Sequence, residues 1–335
     1  MATPAVKSSK SFYRSSNAVR WCSGCGDFHV LNALTSAWAS LGLAKEKITV
    51  ISGIGCSSRL PYYTSTYGFH TIHGRAPTVA MGLKITRPDL SVWIVTGDGD
   101  GLSIGGNHFI HLARRNPNIT LLLFNNEIYG LTKGQASPTS KPGLNTKSTP
   151  GGALEQPINA LSLAITSGAS FVARVIDTDL PMMRQIFQDA HNHQGLSVVE
   201  ILTTCVVFNE QAFKDVESRG LRAKHTLELR QGKPLIMGEK KDQTLTWPHH
   251  FSEPTITGLS SLPSDRIIHH DPSQKSIIYS LSLAELKPPK YPIATGILRQ
   301  VEGDTYESLL AQRNNENYQT LDEILGQNSF IKGTG

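Results

Sequence analysis

The sequence predicts an α/β fold with a doubly wound, mostly parallel sheet, and three observations support this prediction. Segments with helical and strand periodicity alternate between residues 29 and 203. One strand-like segment, at 91–101, breaks into glycines just before the next predicted helix. The 335 residues are 39% hydrophobic and 18% charged, a composition typical of a globular protein with a large core.

The first predicted elements are a helix over 29–41 and a strand over 48–55. Val30 and Leu34 fall on one face of the helix, and the apolar segment "ITVISGIG" follows it. The strand that breaks into glycines comes next, then a helix over "SIGGNHFIHLARR" and a second apolar strand, "ITLLLFNN". Together these make one βαβ unit, whose ligands are expected at the carboxyl ends of the strands.

The alternation continues through helix "PINALSLAITSG", strand "FVARV", helix "LPMMRQIFQDAHNH" and strand "LSVVEIL". Before these elements lies the segment 130–152, which is rich in Gly, Pro, Ser and Thr. A loop of this length inside an α/β domain is usually functional or disordered.

The chain divides into an N-terminal arm (1–20), an α/β domain (21–205) and a C-terminal extension (206–335). Beyond Cys205 the alternation is replaced by charged sequence with scattered prolines and a final helical stretch, "TYESLLAQ". We therefore expect an irregular extension that packs on the core or on a partner chain.

The formal net charge of +5 comes from the first part of the chain. Residues 1–205 hold 17 Lys and Arg against 11 Asp and Glu, whereas residues 206–335 hold 15 against 16. A small, dispersed excess of this kind favours anionic small molecules or an acidic protein partner over nucleic acid. No apolar run reaches the ~18 residues of a membrane helix, and the first residues lack a secretory apolar core. We expect a cytoplasmic protein.

Gly97-Asp98-Gly99 and Asn125-Asn126 form the first candidate site. The glycine motif and the asparagine pair are separated by 25 residues, and each follows a predicted strand. A carboxylate and an amide at neighbouring strand ends can bind Mg²⁺, which prefers oxygen ligands and keeps positions for a diphosphate. This arrangement is typical of a thiamine-diphosphate motif. The alternative is two ordinary strand-to-helix turns.

The four cysteines, Cys22, Cys25, Cys56 and Cys205, form the second candidate site. Long, uneven intervals in a chain without a signal peptide favour a metal or catalytic role over a disulfide framework. Four thiolates can ligate zinc or an iron–sulfur cluster, and the pattern by itself favours zinc. Alternatively, Cys56 or Cys205 is a small buried apolar residue.

Five segments in order resemble the β subunit of 2-oxoacid:ferredoxin oxidoreductases. The resemblance is strong over residues 20–205 and weaker afterwards, where "YPIATGILR" is the best match. The five segments are "WCSGCGDFHVL", "GIGCSSRLPYY", "HTIHGRAPTVAMGLK", "VTGDGDGLSIGGNHFIHLARRN" and "NNEIYGLTKGQASPT".

The resemblance implies the thiamine-diphosphate-binding fold and a set of cofactor ligands. All four cysteines would ligate one [4Fe–4S] cluster. The side chains of Asp98 and Asn126 and the backbone carbonyl of Ile128 would bind Mg²⁺. Gly97, Gly99 and His73 would lie against the thiamine diphosphate.

The resemblance also implies the reaction, which is coenzyme A-dependent oxidative decarboxylation of a 2-oxo acid with electrons passing through the cluster to ferredoxin. The glutamate that activates thiamine diphosphate comes from an α subunit in this family, and we find none suitably placed in these segments. The chain by itself is therefore expected to be inactive and to work as an αβ pair or a dimer of pairs.

For the substrate we predict 2-oxoglutarate. Lys133 can pair with its distal carboxylate, and Arg59 can hold the carboxylate beside the oxo group. His73 can contact the diphosphate or the oxo group. The alternatives are a pyruvate or broad-specificity enzyme, a decarboxylase or acetolactate-type thiamine enzyme, and a zinc-stapled nucleotide-binding module.

Overall fold

The computed structural model describes residues 9–248 and 253–316. Its main feature is an eight-stranded sheet, which is accompanied by a three-stranded sheet. The strands of the large sheet, in spatial order, are β2 (Tyr67–His70), β1 (Ile48–Ser52), β3 (Ser91–Gly97), β4 (Thr120–Asn125), β6 (Ser197–Leu202), β5 (Phe171–Ile176), β11 (Ile293–Gln300) and β7 (Thr226–Leu229). The small sheet contains β8 (Ile236–Met237), β9 (Gln243–Thr246) and β10 (Thr255–Gly258).

The first six strands of the large sheet are parallel. β11 then pairs antiparallel with β5, and β7 runs parallel to β11. The predicted fold class, an α/β protein with a mostly parallel sheet, is confirmed. The carboxyl ends of β1, β3, β4, β6 and β5 consequently share one edge of the sheet.

Helices cover both faces of this sheet. They are α1 (Asp27–Leu41), α2 (Ala76–Thr86), α3 (Asp98–Leu102), α4 (Gly106–Arg115), α5 (Ala160–Thr166), α6 (Leu180–Asn192), α7 (Lys214–Glu217), α8 (Arg219–His225), α9 (Ile277–Ala284) and α10 (Tyr306–Glu316). Trp93 and Val95 of β3 pack in a core with α1 and α6, and the alternate residues Val92 and Ile94 pack in a core with α2, α4, α5 and α9. No helix in the described residues has both the length and the apolar character needed to cross a membrane.

Two predicted strands are shorter than the sequence indicates. β1 ends at Ser52, not at 55, and β3 ends at Gly97, not at 101. The glycine segments after them turn the chain: Asp98–Leu102 is the short helix α3, and a 3₁₀ helix covers Ser57–Tyr63. As a result Asp98 begins a helical turn at the strand end. The loop 130–152 contains no helix or strand, as predicted.

The segment after Cys205 is more regular than predicted. It supplies β7 and β11 to the large sheet, so the predicted boundary at residue 205 does not coincide with an edge of that sheet. β11 joins the sheet through β5, which lies more than a hundred residues earlier in the chain. A pairing over that distance leaves no local signal in the sequence. The prediction also lacked β2, which is short and exposed, and α2.

Part of the predicted N-terminal arm packs on the domain. Tyr13 is fully buried, and its hydroxyl donates a 2.6 Å hydrogen bond to the Leu43 carbonyl. Trp21 is also buried and shares the core of α1 and α6. Residues 9–20 are thus held against the α/β domain, and residues 1–8 lie outside the described part.

Replacing Leu298 with alanine should lower the free energy of unfolding by about 2 to 5 kcal/mol. Leu298 lies in β11 and is fully buried, so the shorter side chain leaves a cavity in the core. Leu309 is a matched control because it is 47% exposed on α10, and Leu309→Ala should change stability by about 0.5 kcal/mol or less. Denaturant unfolding followed by circular dichroism measures both. Equal losses would contradict the assignment of β11 to the sheet.

Candidate cofactor and metal site

Asp98 is a buried carboxylate at the carboxyl end of β3. It is 2% exposed, and its Oδ2 lies 2.6 Å from the hydroxyls of both Ser137 and Thr139. Burial raises the pKa of Asp98, while these hydroxyls and the backbone N–H groups of Gly99 and Asn126 act in the opposite direction. Among the described residues no Lys or Arg pairs with this carboxylate. A bound divalent cation would supply the missing counter-charge, so the residue fits a Mg²⁺ ligand.

Asn125 and Asn126 build a tight turn at the end of β4. Asn125 Oδ1 accepts from the backbone N–H of Glu127 at 3.2 Å, and Asn126 Oδ1 accepts from Ile128 N–H at 3.2 Å. Glu127 has a φ of 55°, in the left-handed region. β3 and β4 are neighbours, and the Asn126 N–H lies close enough to the Asp98 carboxylate to act against the increase in its pKa. The two halves of the predicted motif therefore meet.

The side chain of Tyr129 leaves no room for a Cβ at Gly99. A Cβ placed on Gly99 would lie 2.3 Å from Tyr129 Cε1, and the Tyr129 hydroxyl donates a 2.9 Å hydrogen bond to the Gly99 carbonyl. Gly97 is less constrained, since its Cβ would meet Ser57 Oγ at an ordinary 3.6 Å. Close packing against Tyr129 is thus one reason for glycine at the second position of the motif.

The four cysteines lie in three segments that approach one another. All are described residues, and all are free thiols. A Cβ placed on Gly130 would lie 3.5 Å from Cys205 Sγ and 3.8 Å from Cys56 Sγ. Cys22 and Cys25 lie in one turn, in which the Cys25 N–H donates to the Cys22 carbonyl at 3.1 Å.

The four thiols lie close enough together to interact electrostatically. Burial, and after it the nearby Asp27 carboxylate, raises the pKa of Cys25 and that of Cys56, the latter to about 11. Cys205 contributes to both increases, and Cys22 contributes to that of Cys56. Thiols kept protonated by burial ionise when a metal binds, because the metal provides the positive charge.

Zinc and a four-iron cluster require different distances between four thiolates. In the described residues no group of three or more His, Cys, Asp or Glu side chains closes around one metal ion. Four thiolates on one zinc ion would lie about 3.8 Å apart, given a Zn–S distance of ~2.3 Å. A four-iron cluster carries one thiolate on each iron and holds its sulfurs further apart.

His73 lies beside a buried carboxylate. Its Nδ1 lies 2.7 Å from Asp100 Oδ1, and Asp100 is 4% exposed. Asp100 also accepts hydrogen bonds from Gly74 N–H at 2.8 Å and from the Thr96 hydroxyl at 2.6 Å. The His73 ring lies 6.4 Å from that of Tyr129. The structure therefore brings His73 close to the glycine motif, with Nδ1 next to Asp100.

Arg59 and Lys133, the predicted substrate contacts, have different surroundings. Arg59 Nε donates a 3.0 Å hydrogen bond to the Tyr63 hydroxyl, which raises the pKa of the guanidinium. Lys133 is exposed, has a φ of 74°, and pairs with no acidic side chain in the described part of the chain. Gly130, three residues earlier, packs against Cys56 and Cys205.

Several hydroxyls that contact Asp98 and the turn after β4 were not predicted from the sequence. Besides Ser137 and Thr139, Ser140 donates a 2.6 Å hydrogen bond to the Glu127 carbonyl. Glu127 itself is buried, which raises its pKa to about 7, although Lys141 at 3.2 Å opposes the shift. The loop is rich in Ser and Thr throughout, so its composition does not distinguish these hydroxyls from the others.

Comparisons with known proteins agree with this chemistry. Residues 53–201 match the family described as thiamine pyrophosphate enzyme, C-terminal TPP binding domain. The 2-oxoglutarate oxidoreductase subunit KorB of Mycobacterium tuberculosis is 46% identical over 88% of this chain and 79% of its own length. Subunit beta of 2-oxoacid:ferredoxin oxidoreductase 1 from Aeropyrum pernix is 46% identical over 59% of this chain and 62% of its own length.

One solved structure resembles nearly the whole chain. It is the 2-oxoglutarate:ferredoxin oxidoreductase from Magnetococcus marinus with 2-oxoglutarate, coenzyme A and succinyl-CoA bound. The TM-score is 0.78 and the sequence identity 32%, and the match covers 97% of this chain and 98% of the other. The likeness therefore extends over the C-terminal extension.

Replacing Gly99 with alanine should lower stability by about 1 to 3 kcal/mol, because Tyr129 must move and lose its hydrogen bond to the Gly99 carbonyl. Gly106 on α4 is a matched control, since a Cβ there meets nothing within 4 Å. Gly106→Ala should be neutral or stabilising by up to about 1 kcal/mol. Thermal unfolding of both variants measures the difference. A Gly99→Ala variant as stable as Gly106→Ala would show that Tyr129 does not restrict this position.

Proposed function

This chain belongs to the β subunits of the 2-oxoacid:ferredoxin oxidoreductases, and we propose that it serves a 2-oxoglutarate:ferredoxin oxidoreductase. The reaction would convert 2-oxoglutarate and coenzyme A to succinyl-CoA and CO₂, reversibly, with electrons passed to ferredoxin. The observation that carries the proposal is the 46% identity to a 2-oxoglutarate oxidoreductase subunit over 88% of the chain. The thiamine pyrophosphate domain at 53–201 supports the cofactor.

For the diphosphate end of the cofactor we propose Asp98, Asn126 and Ile128 as Mg²⁺ ligands. The first two would bind through side-chain oxygens and Ile128 through its backbone carbonyl. The burial of Asp98 without a protein counter-charge supports this assignment, as does its contact with the Asn126 N–H. Mg²⁺ keeps further positions for diphosphate oxygens.

For the electron path we propose that Cys22, Cys25, Cys56 and Cys205 ligate one [4Fe–4S] cluster. Their electrostatic influence on one another supports a shared site, and the 46% identity to a 2-oxoglutarate oxidoreductase subunit supports a cluster at that site. The cluster would accept electrons one at a time and pass them to ferredoxin.

When bound, thiamine diphosphate supplies an electron sink for the departure of CO₂ from the 2-oxo acid. His73, whose Nδ1 lies beside Asp100, would hold or move a proton next to it. Glu127, the acid in the turn after β4, pairs with Lys141, and in this family the activating glutamate comes from the α subunit. The α subunit would therefore supply the activating glutamate.

Substrate choice would depend on two cations. Arg59 donates its Nε–H to the Tyr63 hydroxyl. Its terminal N–H groups would hold the carboxylate beside the oxo group. The exposed Lys133 would pair with the distal carboxylate of 2-oxoglutarate. An acidic ferredoxin would be attracted by the basic excess of residues 1–205. We expect αβ or (αβ)₂ assembly and a cytoplasmic location.

The substrate proposal is tested by purifying the chain anaerobically with its α subunit and measuring coenzyme A-dependent reduction of a viologen dye. We expect 2-oxoglutarate to be preferred over pyruvate. Lys133→Ala should raise KM for 2-oxoglutarate by about 10-fold or more, because a charge-assisted contact is lost, and should leave KM for pyruvate unchanged.

Lys147→Ala is the matched control, since Lys147 is an exposed lysine on the same loop. Its KM for 2-oxoglutarate should stay at the wild-type value. If pyruvate is preferred, the family assignment stands and the role of Lys133 is wrong. If Lys147→Ala raises KM as much as Lys133→Ala, the effect is one of general loop charge.

The cluster proposal is tested by metal analysis of the anaerobic complex, in which we expect about four irons per β chain. Cys205→Ser should lower the iron content and the absorbance near 400 nm, because one ligand is lost. Thr204→Ser, a conservative change at the adjacent position, should keep both. Zinc in the place of iron in the wild-type protein would reject the cluster.

A further inference from the structure

A line of buried hydrogen bonds runs from β5 through β6 to the turn after β4. Arg174 of β5 lies directly opposite Glu200 of β6 in the strand register. Arg174 Nε donates to Glu200 Oε2 at 2.6 Å, and both side chains are largely buried, at 8% and 3% exposed. The other oxygen, Oε1, accepts from Asn125 Nδ2 at 2.8 Å. Each oxygen of Glu200 thus has its own donor.

This contact fixes the orientation of the Asn125 amide. A carboxylate can only accept hydrogen bonds, so the amide must present its NH₂ group to Glu200. Asn125 Oδ1 then faces the turn, where it accepts from Glu127 N–H at 3.2 Å and lies 2.9 Å from the Thr139 hydroxyl. The reversed amide would place NH₂ against the N–H of Glu127, where two donors would face each other.

We propose that Glu200, held by Arg174, is a positioning residue for the Mg²⁺-binding turn. By orienting Asn125 it fixes the backbone of Glu127 in its left-handed conformation, and with it the neighbouring residues Asn126 and Ile128. The inference rests on the proposed function, because it assumes that the turn binds Mg²⁺ and thiamine diphosphate. Replacing a group that orients a metal ligand typically lowers metal affinity by about 10- to 100-fold.

The position requires a carboxylate and not merely a polar side chain. Arg174 and Asn125 are two donors, and glutamine supplies only one acceptor for them. In Glu200→Gln one donor therefore faces the NH₂ group of the new side chain, or Asn125 turns over and disturbs the Glu127 N–H. Either outcome loosens the turn while leaving the volume of the side chain unchanged.

Stability by itself does not explain the pair. A buried ion pair can often be replaced by apolar residues of similar volume without loss of stability, because desolvation offsets the attraction between its charges. A paired replacement, Arg174→Met with Glu200→Leu, should therefore fold. It would remove the group that orients Asn125, so it separates the positioning role from a structural one.

The test is the affinity of the assembled αβ complex, freed of thiamine diphosphate, for Mg²⁺-thiamine diphosphate by isothermal calorimetry. Glu200→Gln should weaken binding by about 10- to 100-fold. At saturating cofactor kcat should recover, so the defect should be in the KM for the cofactor. Thermal midpoint and iron content without thiamine diphosphate should match the wild type.

Glu228→Gln is the matched control. Glu228 Oε1 accepts from Arg230 Nε at the same 2.6 Å distance, but the pair is exposed, at 44% and 69%. Cofactor affinity of this variant should stay within twofold of the wild type. Comparing the two variants separates the effect of losing Glu200 beside the turn from the effect of breaking any Arg–Glu pair.

The outcomes separate the inference from the proposed function. If the wild-type complex does not bind Mg²⁺-thiamine diphosphate, the proposed function fails and the inference fails with it. If the wild type binds and Glu200→Gln binds within twofold of it, only the inference is overturned. If Glu200→Gln does not fold, the paired apolar replacement decides: weakened binding with normal iron content supports the positioning role, and wild-type affinity rejects it.

Discussion

The burial of the Asp98 carboxylate is the constraint on which the site depends. A carboxylate removed from water must be compensated by hydrogen bonds or opposite charge, or it becomes protonated. No Lys or Arg side chain of the described residues pairs with Asp98. Two hydroxyls and two backbone N–H groups compensate its charge instead. The hydroxyls belong to the segment 130–152, which must therefore fold back over the end of β3. Hydrogen bonds to a charged group contribute about 1.5 to 3 kcal/mol each, and these two hold the Ser137 and Thr139 end of the loop against β3.

The sequence predicts the parallel core of the fold well and its margins poorly. Strands such as β3 and β4 are apolar runs buried on both faces, and this pattern is local and strong. β11 and β7 depend on pairing with a strand far away in the chain, which no window of sequence reveals. The ends of β1 and β3 were also placed too late, because glycine permits both strand and turn. The strength of the local signal therefore sets the limit of prediction.

The same distinction holds at the site. Asp98 and Asn126 were proposed as metal ligands from the sequence, because a Mg²⁺ ligand must be one of a few residue types and both lie at the end of a strand. Glu200 was not, since its role depends on β6 lying between β4 and β5 in space although it follows both in the chain. Ser137 and Thr139 were hidden among many similar residues. Groups that touch a ligand leave a chemical signature, whereas groups that orient them depend on the three-dimensional arrangement.

The position of β2 at the end of the large sheet has a consequence for handling the protein. Among the described residues no strand pairs with its outer side, so one row of backbone N–H and C=O groups is open there. The strand "YGFH" has neither lysine nor proline, and Tyr67 and Phe69 are 62% and 55% exposed. Exposed edges of this kind act as templates for other strands unless charge, proline or a covering segment blocks them. We therefore expect the yield of the chain to depend on whether that edge is covered as the protein folds.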